Sequence, residues 1–235
     1  MGSAVTQAEG LKREAGEAAA AMVQSGMIVG LGTGSTAAWF VRALGRRMAA
    51  EKLDVRGVAT SKASEALAQV LAIPLLELNQ VPIDLTVDGA DEIAPGLQLN
   101  KGAGAALLRE KLVWEASRRC VVVADASKRV QCLGKRPLPI EVVPFGHEAT
   151  ALRICDALAE CDLGAAPRLR IRDGEVVVTD NGNLIYDVVC GAIEEPSLLA
   201  EALKSVTGVV EHGLFLDLAE EALIATDTGV ERLSP

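Results

Sequence analysis

The first half of the chain alternates between segments with helical spacing of apolar residues and short apolar runs. Apolar residues recur every three or four positions, as in amphipathic helices, in residues 6–22, 36–48, 63–71 and 105–117. The runs between them are typical of strands and comprise residues 27–31, 55–59, 73–77, 83–87 and 120–124. Because almost uninterrupted apolar strands are buried on both faces, the pattern predicts an α/β fold in which helices cover a parallel sheet.

The pattern changes near residues 133–139, where two prolines interrupt regular strand pairing. The strand-like segments downstream are residues 140–144, 168–171, 175–179 and 184–189, and helical spacing returns in residues 149–159 and 197–205. Hairpins combined with helices predict a second, smaller α+β domain. Short apolar strands resume in residues 208–224 and are expected to return to the first sheet. The predicted domains are therefore residues 1–134 with 208–235, and residues 135–207.

Composition excludes several classes of protein. Half of the 235 residues are hydrophobic, which is ample for a buried core and excludes intrinsic disorder. The net charge of -9 and the small number of aromatic residues argue against nucleic acid as a partner. No run approaches the roughly 18 uncharged apolar residues of a membrane span. The two histidines, which lie far apart, argue against a histidine-rich zinc site.

The five cysteines are odd in number and never form a C-x-x-C pair. A disulfide framework normally uses an even number of cysteines at short, regular spacings. The pattern therefore predicts a reduced protein of the cytoplasm.

Three glycines in five residues lie between a predicted strand and a predicted helix, in Gly30-Leu31-Gly32-Thr33-Gly34-Ser35-Thr36. Converging backbone N–H groups at a helix N-terminus favour binding of a phosphate or carboxylate. The alternative is a tight turn in which Ser35 or Thr36 caps the helix. The segment matches neither the dinucleotide fingerprint G-x-G-x-x-G nor a nucleotide P-loop.

An acidic segment, Asp88-Gly89-Ala90-Asp91-Glu92, directly follows another apolar strand. Ligands of open α/β sheets bind outside the carboxyl ends of the strands, so Asp88 is expected to face the same crevice as the glycine segment. Crowded carboxylates suit general acid or base catalysis, or binding of a hard cation. The alternative is a solvated turn capped by its aspartates.

Two lysines also lie where elements meet. Lys101-Gly102-Ala103-Gly104 precedes a predicted helix that carries Glu110, and a fixed cation beside converging amides can stabilise an oxyanion. Lys128 follows the apolar strand 120–124 and is placed to bind an anion. The alternatives are a surface role for Glu110, a solvated Lys128, and Asp125 or Ser127 as a local cap.

In the order and spacing of these segments the chain resembles the type A ribose-5-phosphate isomerase family. The resemblance is carried by residues 32–36, 87–92, 101–107 with 109–111, and 124–128. It continues in residues 133–135 with 137–139, 178–183, and 208–210 with 213–215. It implies a Rossmann-like α/β domain joined to a small ferredoxin-like α+β domain, assembled as a homo-oligomer, either dimer or tetramer.

The resemblance also implies an activity, the interconversion of D-ribose 5-phosphate and D-ribulose 5-phosphate through an enediolate, a step of the non-oxidative pentose phosphate pathway. The family uses neither a metal nor an organic cofactor. Glu110 would move the proton between adjacent carbons, and Asp88 and Asp91 would handle hydroxyl protons and ring opening. Lys101 and the amides of residues 102–104 would stabilise the enediolate oxygen.

The resemblance assigns further residues to substrate binding, chiefly of the phosphate: Thr33, Gly34, Ser35, Thr36 and Lys128, with Lys12 as a weaker candidate. Gly89 and Ala90 complete the acidic segment of the predicted binding site. Two residues depart from the family pattern, Ala103 in place of a glycine and Leu108 in place of a small polar residue. If residue 103 needs a positive φ, its methyl group disfavours the loop.

Two alternatives stay open on the same fold. One is a non-catalytic sensor that binds phosphosugars, which would need the glycine segment but neither Glu110 nor Lys101. The other is hydrolysis or deamination of a different sugar phosphate, because a fold by itself does not fix the chemistry.

Overall fold

The structure is a computed structural model that describes residues 2–79 and 82–235, with side chains from residue 7 onward. Its helices are α1 (Gly2–Ala20), α2 (Ser35–Glu51), α3 (Lys62–Val70), α4 (Leu107–Glu115), α5 (His147–Glu160) and α6 (Pro196–Ser205). Its first strands are β1 (Ile28–Leu31), β2 (Arg56–Ala59), β3 (Leu85–Asp88), β4 (Glu92–Ala94), β5 (Gln98–Asn100), β6 (Cys120–Asp125) and β7 (Leu138–Val142). The later strands are β8 (Arg168–Leu169), β9 (Ile171–Arg172), β10 (Glu175–Val176), β11 (Leu184–Val188), β12 (Val209–His212), β13 (Leu214–Phe215), β14 (Glu221–Thr226) and β15 (Gly229–Leu233).

The chain divides into two compact units. The first comprises the chain up to Ala90 together with Arg109–Lys128 and Leu218–Pro235, and the second comprises Asp91–Leu108 and Arg129–Asp217. The division expected from the sequence differs in residues 91–108, 129–134 and 208–217, which lie in the second unit. Strand pairing explains part of the difference, because β12 pairs with β7 and β13 pairs with β5. An apolar run of four residues does not reveal its own pairing partner.

The first unit is built on a six-stranded sheet with the order β15-β14-β6-β3-β1-β2. Neighbouring strands from β14 to β2 pair in parallel, and β15 pairs antiparallel to β14 at the edge. The parallel α/β fold predicted from the sequence is therefore confirmed. The predicted return of residues 208–224 to this sheet is confirmed for β14 and is wrong for β12 and β13, which pair in the second unit. The carboxyl ends of β1, β2, β3 and β6 share one edge of the sheet.

Alternation along the strands explains why both faces of this sheet are covered. Successive side chains of a strand point to opposite faces. Val29 and Leu31 of β1 join a cluster with Phe40 and Leu44 of α2 and the alanines of α1. Ile28 belongs instead to a cluster that includes Val113 of α4. Burial of each large apolar side chain contributes about 1.5–3 kcal/mol, so the near-continuous apolar runs of the sequence favour this layered packing.

The second unit contains the antiparallel sheet β12-β7-β11-β8, the three-stranded sheet β13-β5-β4 and the hairpin β9–β10. Alternate residues of β7, namely Leu138, Ile140 and Val142, join a buried cluster with apolar residues of α5 and α6. One face of the four-stranded sheet is thus covered by two helices. The predicted small α+β domain is confirmed.

Some elements differ from the sequence-based predictions. Residues 73–77 do not form a strand, and Leu75 makes only an isolated parallel bridge with Gly57. The strands β4 and β5 were not predicted, because strands of three residues are too short to show a period. Within the described ranges, no helix combines the length and hydropathy that a membrane crossing requires.

Candidate active site

The glycine segment of the first unit is held by β3. Gly32 N–H donates to the carbonyl oxygen of Val87 at 3.0 Å, and Thr33 N–H donates to Asp88 Oδ1 at 2.9 Å. The same carboxylate oxygen accepts a hydrogen bond from Gly89 N–H at 2.7 Å. Asp88 is fully buried at the carboxyl end of β3. Its carboxylate is therefore fixed against the loop, as expected from the position of both segments at strand ends.

Glycine is required at position 32 by this close approach. A Cβ atom at Gly32 would lie 2.4 Å from Asp88 Oδ1 and 2.5 Å from the carbonyl oxygen of Val87. Atoms this close overlap, so any larger residue would displace the loop or the carboxylate. Gly34, the N-cap of α2, has a φ of 103°, a backbone conformation that residues other than glycine rarely adopt.

Hydroxyl groups hold the side chain of Thr33 from the neighbouring strand β2. Thr33 Oγ1 lies 2.7 Å from Thr60 Oγ1 and donates to Ser61 Oγ at 2.8 Å. Thr60 Oγ1 donates in turn to the carbonyl oxygen of Leu31 at 3.0 Å. Thr60 and Ser61 were not predicted as part of this site. Their position at the carboxyl end of β2 was the available signal, because ligand-binding residues of such sheets lie at strand ends.

The N-terminus of α2 opens into a cleft of about 620 Å³ in the first unit. Its lining includes Ser35 and Thr36 from the first turn of α2, Lys12 from α1, and Asp125 to Lys128. Gly34 makes no side-chain cap, and neither Ser35 nor Thr36 is the N-cap, so the capping alternative is wrong. First-turn N–H groups and two lysines together favour an anion in this cleft.

Two cleft residues are held by neighbours within the first unit. Lys12 Nζ donates to Glu9 Oε1 at 2.7 Å, and Trp39 Nε1 donates to Glu9 Oε2 at 3.1 Å. These hydrogen bonds from Lys12 and Trp39 hold the pKa of the Glu9 carboxyl below its usual value. Asp125 Oδ1 accepts hydrogen bonds from the N–H and hydroxyl of Ser127, so Asp125 is the local cap considered from the sequence.

Glu110 lies in the first turn of α4. Its relative exposure is 4%, so the surface alternative for this residue is wrong. The partial positive charge of a helix N-terminus favours a carboxylate in the first turn. A carboxylate placed on a helix and shielded from solvent has the fixed geometry that a general base requires.

The lysine and glycine segment lies in the second unit. Lys101 is 2% exposed, its N–H donates to the carbonyl oxygen of Gly213 at 2.8 Å, and its Nζ lies 5.3 Å from the ring centroid of Phe215. Ala103 N–H donates to Asp91 Oδ2 at 2.9 Å. The structure thus brings Asp91 and the segment 101–104 together.

The expected difficulty at Ala103 does not arise. Positive φ values fall instead on Gly102, at 106°, and on Ala105, at 60°. Ala103 is exposed and keeps its N–H as a donor, so its methyl group is compatible with the loop. The departure at Leu108 falls on the first turn of α4, where the side chain is partly buried.

Glu92, unlike Asp88 and Asp91, has a structural role, because its carboxylate holds backbone and side-chain N–H groups of the second unit. Its carboxylate accepts hydrogen bonds from Asn100 Nδ2 at 3.1 Å, from Gly134 N–H at 2.9 Å and from Arg136 N–H at 2.8 Å. The Glu92 carboxylate is therefore engaged by groups of its own unit. Among residues 2–79 and 82–235, no group of three or more His, Cys, Asp or Glu side chains is arranged to hold a metal ion.

Each unit thus carries one part of the expected chemistry. In the first unit, Thr33 to Thr36, Asp88, Lys128 and Glu110 lie at strand ends or at the first turn of a helix. In the second unit, Asp91 and Lys101 accompany the amides of residues 102–104. Gly89 and Ala90, both partly buried, connect the two aspartates along the chain. These groups suit proton transfer on an anionic substrate.

Comparison with known sequences identifies one family. The family model described as ribose 5-phosphate isomerase A (phosphoriboisomerase A) matches residues 56–229. The ribose-5-phosphate isomerase A of Caulobacter vibrioides is 66% identical over 229 residues, which cover 97% of this chain and 99% of that protein. The protein of the same name from Gluconobacter oxydans is 50% identical over 228 residues, covering 95% of this chain and 96% of that protein.

Solved structures agree with this result. Ribose 5-phosphate isomerase from Plasmodium falciparum is similar with a TM-score of 0.92 and 37% identity, covering 97% of this chain and 99% of that chain. The ribose 5-phosphate isomerase A of Methanocaldococcus jannaschii has a TM-score of 0.89 and 38% identity over the same shares. A third similar structure, a D-ribose-5-phosphate isomerase in complex with phospho-erythronic acid, has a TM-score of 0.90 and 37% identity, covering 97% of this chain and 99% of that chain.

Proposed function

This chain belongs to the ribose 5-phosphate isomerase A family, and we propose that Glu110 is the base with which it interconverts D-ribose 5-phosphate and D-ribulose 5-phosphate. The observation that carries this assignment is a carboxylate buried in the first turn of α4. Moving a proton between two adjacent carbons needs one base that reaches both, and a helix fixes such a group better than a loop does.

The proposed reaction begins with the open-chain aldose. The Glu110 carboxylate takes the proton from C2, and the electron pair of that C–H bond forms the C1–C2 double bond of an enediolate. The electrons of the C1 carbonyl move to its oxygen, which becomes the enediolate oxygen. Glu110 then returns the proton to C1, and the proton of the C2 hydroxyl passes to O1, so that C2 becomes the ketone and C1 carries a hydroxyl. No electrons leave the substrate, so the reaction needs no redox cofactor.

Asp88, Asp91 and Lys101 complete the proposed chemistry. The two aspartates transfer hydroxyl protons, which opens the furanose ring and exchanges protons between O1 and O2. Lys101 and those amides of residues 102–104 that do not bind Asp91 stabilise negative charge on the enediolate oxygen, because preorganised donors in a water-poor site bind developing charge strongly. The fixed positions of Asp88 beside Thr33 and of Asp91 beside Ala103 support these roles.

The phosphate is proposed to bind in the cleft at the N-terminus of α2. Ser35 and Thr36 offer hydroxyls and first-turn amides, and Lys128 and Lys12 contribute positive charge to the same cleft. Gly34 allows an anion to approach, since nothing lies within 4 Å of the position of its absent Cβ. The relative bound to phospho-erythronic acid supports a ligand of this chemistry, a sugar acid with a phosphate and a planar carboxylate that resembles an enediolate.

Activity of the chelator-treated protein on ribose 5-phosphate tests this proposal. The expected result is formation of the ketose at a rate that added divalent metal does not change. Binding of ribose 5-phosphate without any ketose formation would contradict isomerisation and favour a sensor. Release of inorganic phosphate or ammonia would instead favour hydrolysis or deamination.

The protein is further proposed to act as a homo-oligomer in the cytoplasm. Large apolar side chains are exposed on the second unit, including Phe145, Leu152, Ile171, Val178 and Val189, and their burial against another copy would remove them from water. None of the five cysteines is paired in a disulfide, which agrees with a reducing compartment. Light scattering of the purified chain tests the first point, since a monomer at micromolar concentration would contradict it.

A further inference from the structure

Residues 102–104 of the second unit are held at their carbonyl groups by Arg170, which lies between β8 and β9. Arg170 Nη1 donates to the carbonyl oxygen of Gly102 at 2.9 Å and to that of Ala103 at 3.3 Å. Arg172 Nη2 adds a hydrogen bond to the carbonyl oxygen of Ala103 at 3.3 Å. Neither arginine is part of the chemistry assigned above.

Peptide geometry gives these contacts a consequence on the opposite side of the segment. In a trans peptide the C=O and N–H groups point in opposite directions. The peptide between Gly102 and Ala103 is held at both ends, because its carbonyl accepts from Arg170 and its N–H donates to Asp91 Oδ2 at 2.9 Å. The carbonyl of the next peptide also accepts from Arg170, so the N–H of Gly104 points away from the guanidinium.

Arg170 is itself held in place. Its Nε donates to Asp187 Oδ2 at 2.7 Å, and its Nη2 pairs with Asp187 Oδ1, so the two planar groups form a two-point contact. The Arg170 side chain is only 10% exposed. Its backbone is fixed too, with its N–H donating to the carbonyl oxygen of Ile185 at 2.8 Å and its own carbonyl accepting from Val177 N–H at 3.0 Å.

We propose that Arg170, oriented by Asp187, is a positioning residue that orients the peptides of residues 102–104. In this orientation Asp91 is held for proton transfer and the Gly104 N–H is directed to the enediolate oxygen. This inference rests on the proposed function. Gly102 has a φ of 106°, and glycine has no side chain that could restrict its backbone to one conformation. The segment therefore depends on hydrogen bonds from residues outside it. Because Arg170 contacts residues 102–104 only at their carbonyl groups, on the side opposite the N–H groups, it acts on turnover through geometry and makes no contact with substrate.

The test compares Arg170→Ala with a control, Arg168→Met, which also removes an arginine charge but at an exposed position two residues earlier. For Arg170→Ala we expect kcat for ribose 5-phosphate to fall by about 10- to 100-fold with KM nearly unchanged, since small misplacements of catalytic groups have effects of this size. Arg168→Met should match the unaltered protein. Added methylguanidine should restore part of the kcat of Arg170→Ala and leave that of Arg168→Met unchanged.

Calorimetric titration with phospho-erythronic acid counts intact sites and separates positioning from loss of folded protein. A full count of sites with low, rescuable kcat supports the proposal. A kcat within about twofold of the unaltered protein, or a loss of kcat that equals the loss of sites, overturns it. If Arg170→Ala does not fold, Asp187→Asn decides in its place, with a smaller fall in kcat expected and an unchanged kcat overturning the proposal. A lack of isomerase activity in the unaltered protein would instead refute the proposed function.

Discussion

The two glycine-rich segments of this chain look alike in sequence but are held in opposite ways. The segment at Gly32 in the first unit is fixed through its N–H groups, which donate to the carbonyl oxygen of Val87 and to Asp88. The segment at Gly102 in the second unit is fixed largely through its carbonyl groups, which accept from Arg170 and Arg172. The first is held by hydrogen-bond acceptors, whereas the second is held by donors at its carbonyls and also by Asp91, which accepts from the Ala103 N–H.

This difference indicates what each segment can bind. In the first unit the N–H groups at Gly32 and Thr33 are used internally, and the amides left for a ligand are those of the first turn of α2, beside Lys12 and Lys128. Such a site suits a permanent anion, the phosphate. In the second unit the carbonyls of Gly102 and Ala103 are covered, the Gly104 N–H points the other way, and the segment begins with the buried Lys101. That arrangement suits charge that develops only during the reaction.

The largest effect is expected at Glu110, because neither segment can replace the base. Glu110→Gln keeps the shape and burial of the side chain but cannot accept the proton. We expect kcat to fall by about 10⁴-fold with KM little changed, at the upper end of general-base contributions. Steady-state kinetics check this against Glu115→Gln, an exposed residue of the same helix. A kcat within tenfold of the unaltered protein would remove Glu110 from the role of base.

Lys101 tests the segment of the second unit. Lys101→Met keeps a long side chain against Phe215 but removes the charge. We expect a fall in kcat of about 10²- to 10³-fold, the usual cost of losing one oxyanion donor, with a smaller change in KM. If KM rises and kcat stays the same, Lys101 binds the ground state, and the distinction between the two segments fails.

Lys128 tests the cleft of the first unit, and the opposite response is expected. Lys128→Met should raise KM for ribose 5-phosphate by about 10- to 100-fold, because a hydrogen bond to a charged group contributes about 1.5–3 kcal/mol. The kcat should be nearly unchanged, since the phosphate does not react. Lys52→Met, at an exposed position, is the control. A variant that lowers kcat alone would contradict phosphate binding in this cleft.

The smallest effect concerns the interior of the second unit near Cys190. Burial, with a contribution from the charge of Glu92, raises the pKa of the Cys190 thiol to about 11. Between the unfolded and folded pKa values the unfolded chain loses a proton that the folded chain keeps, so stability falls as the pH rises through this range. Urea denaturation at pH about 8 and about 10 should show a smaller loss at high pH for Cys190→Ala. Equal losses in both proteins would indicate a solvated thiol.

Sequence patterns predicted much of the fold because burial on both faces leaves a strong local signal. The run Cys120–Asp125 is buried throughout, and the periodic segment that became α4 carries Glu110. Asp88 and Lys128 were found from their positions after strands. The hairpin of β4 and β5 gave no comparable signal, since three residues cannot show a period.

What the sequence could not give was contact between residues far apart in the chain. Arg170 lies 68 positions after Gly102, and nothing around either residue indicates that they meet. For a related reason the sequence could not show whether residue 103 needs a positive φ. Composition identifies a glycine-rich turn, but the tertiary contacts determine which residue takes the positive φ, here Gly102 and Ala105.

In the proposed reaction one carboxylate, Glu110, moves a proton between C1 and C2 of the sugar phosphate. Proton NMR of ribose 5-phosphate incubated with the protein in D₂O tests it directly. We expect ribulose 5-phosphate to appear with solvent deuterium at C1, seen as loss of C1 proton intensity, because a carboxylic acid exchanges its proton with water. Glu110→Gln should abolish both the formation of ribulose 5-phosphate and the incorporation of deuterium. Conversion by Glu110→Gln at the unaltered rate, or conversion with no deuterium and no dependence on Glu110, would contradict it.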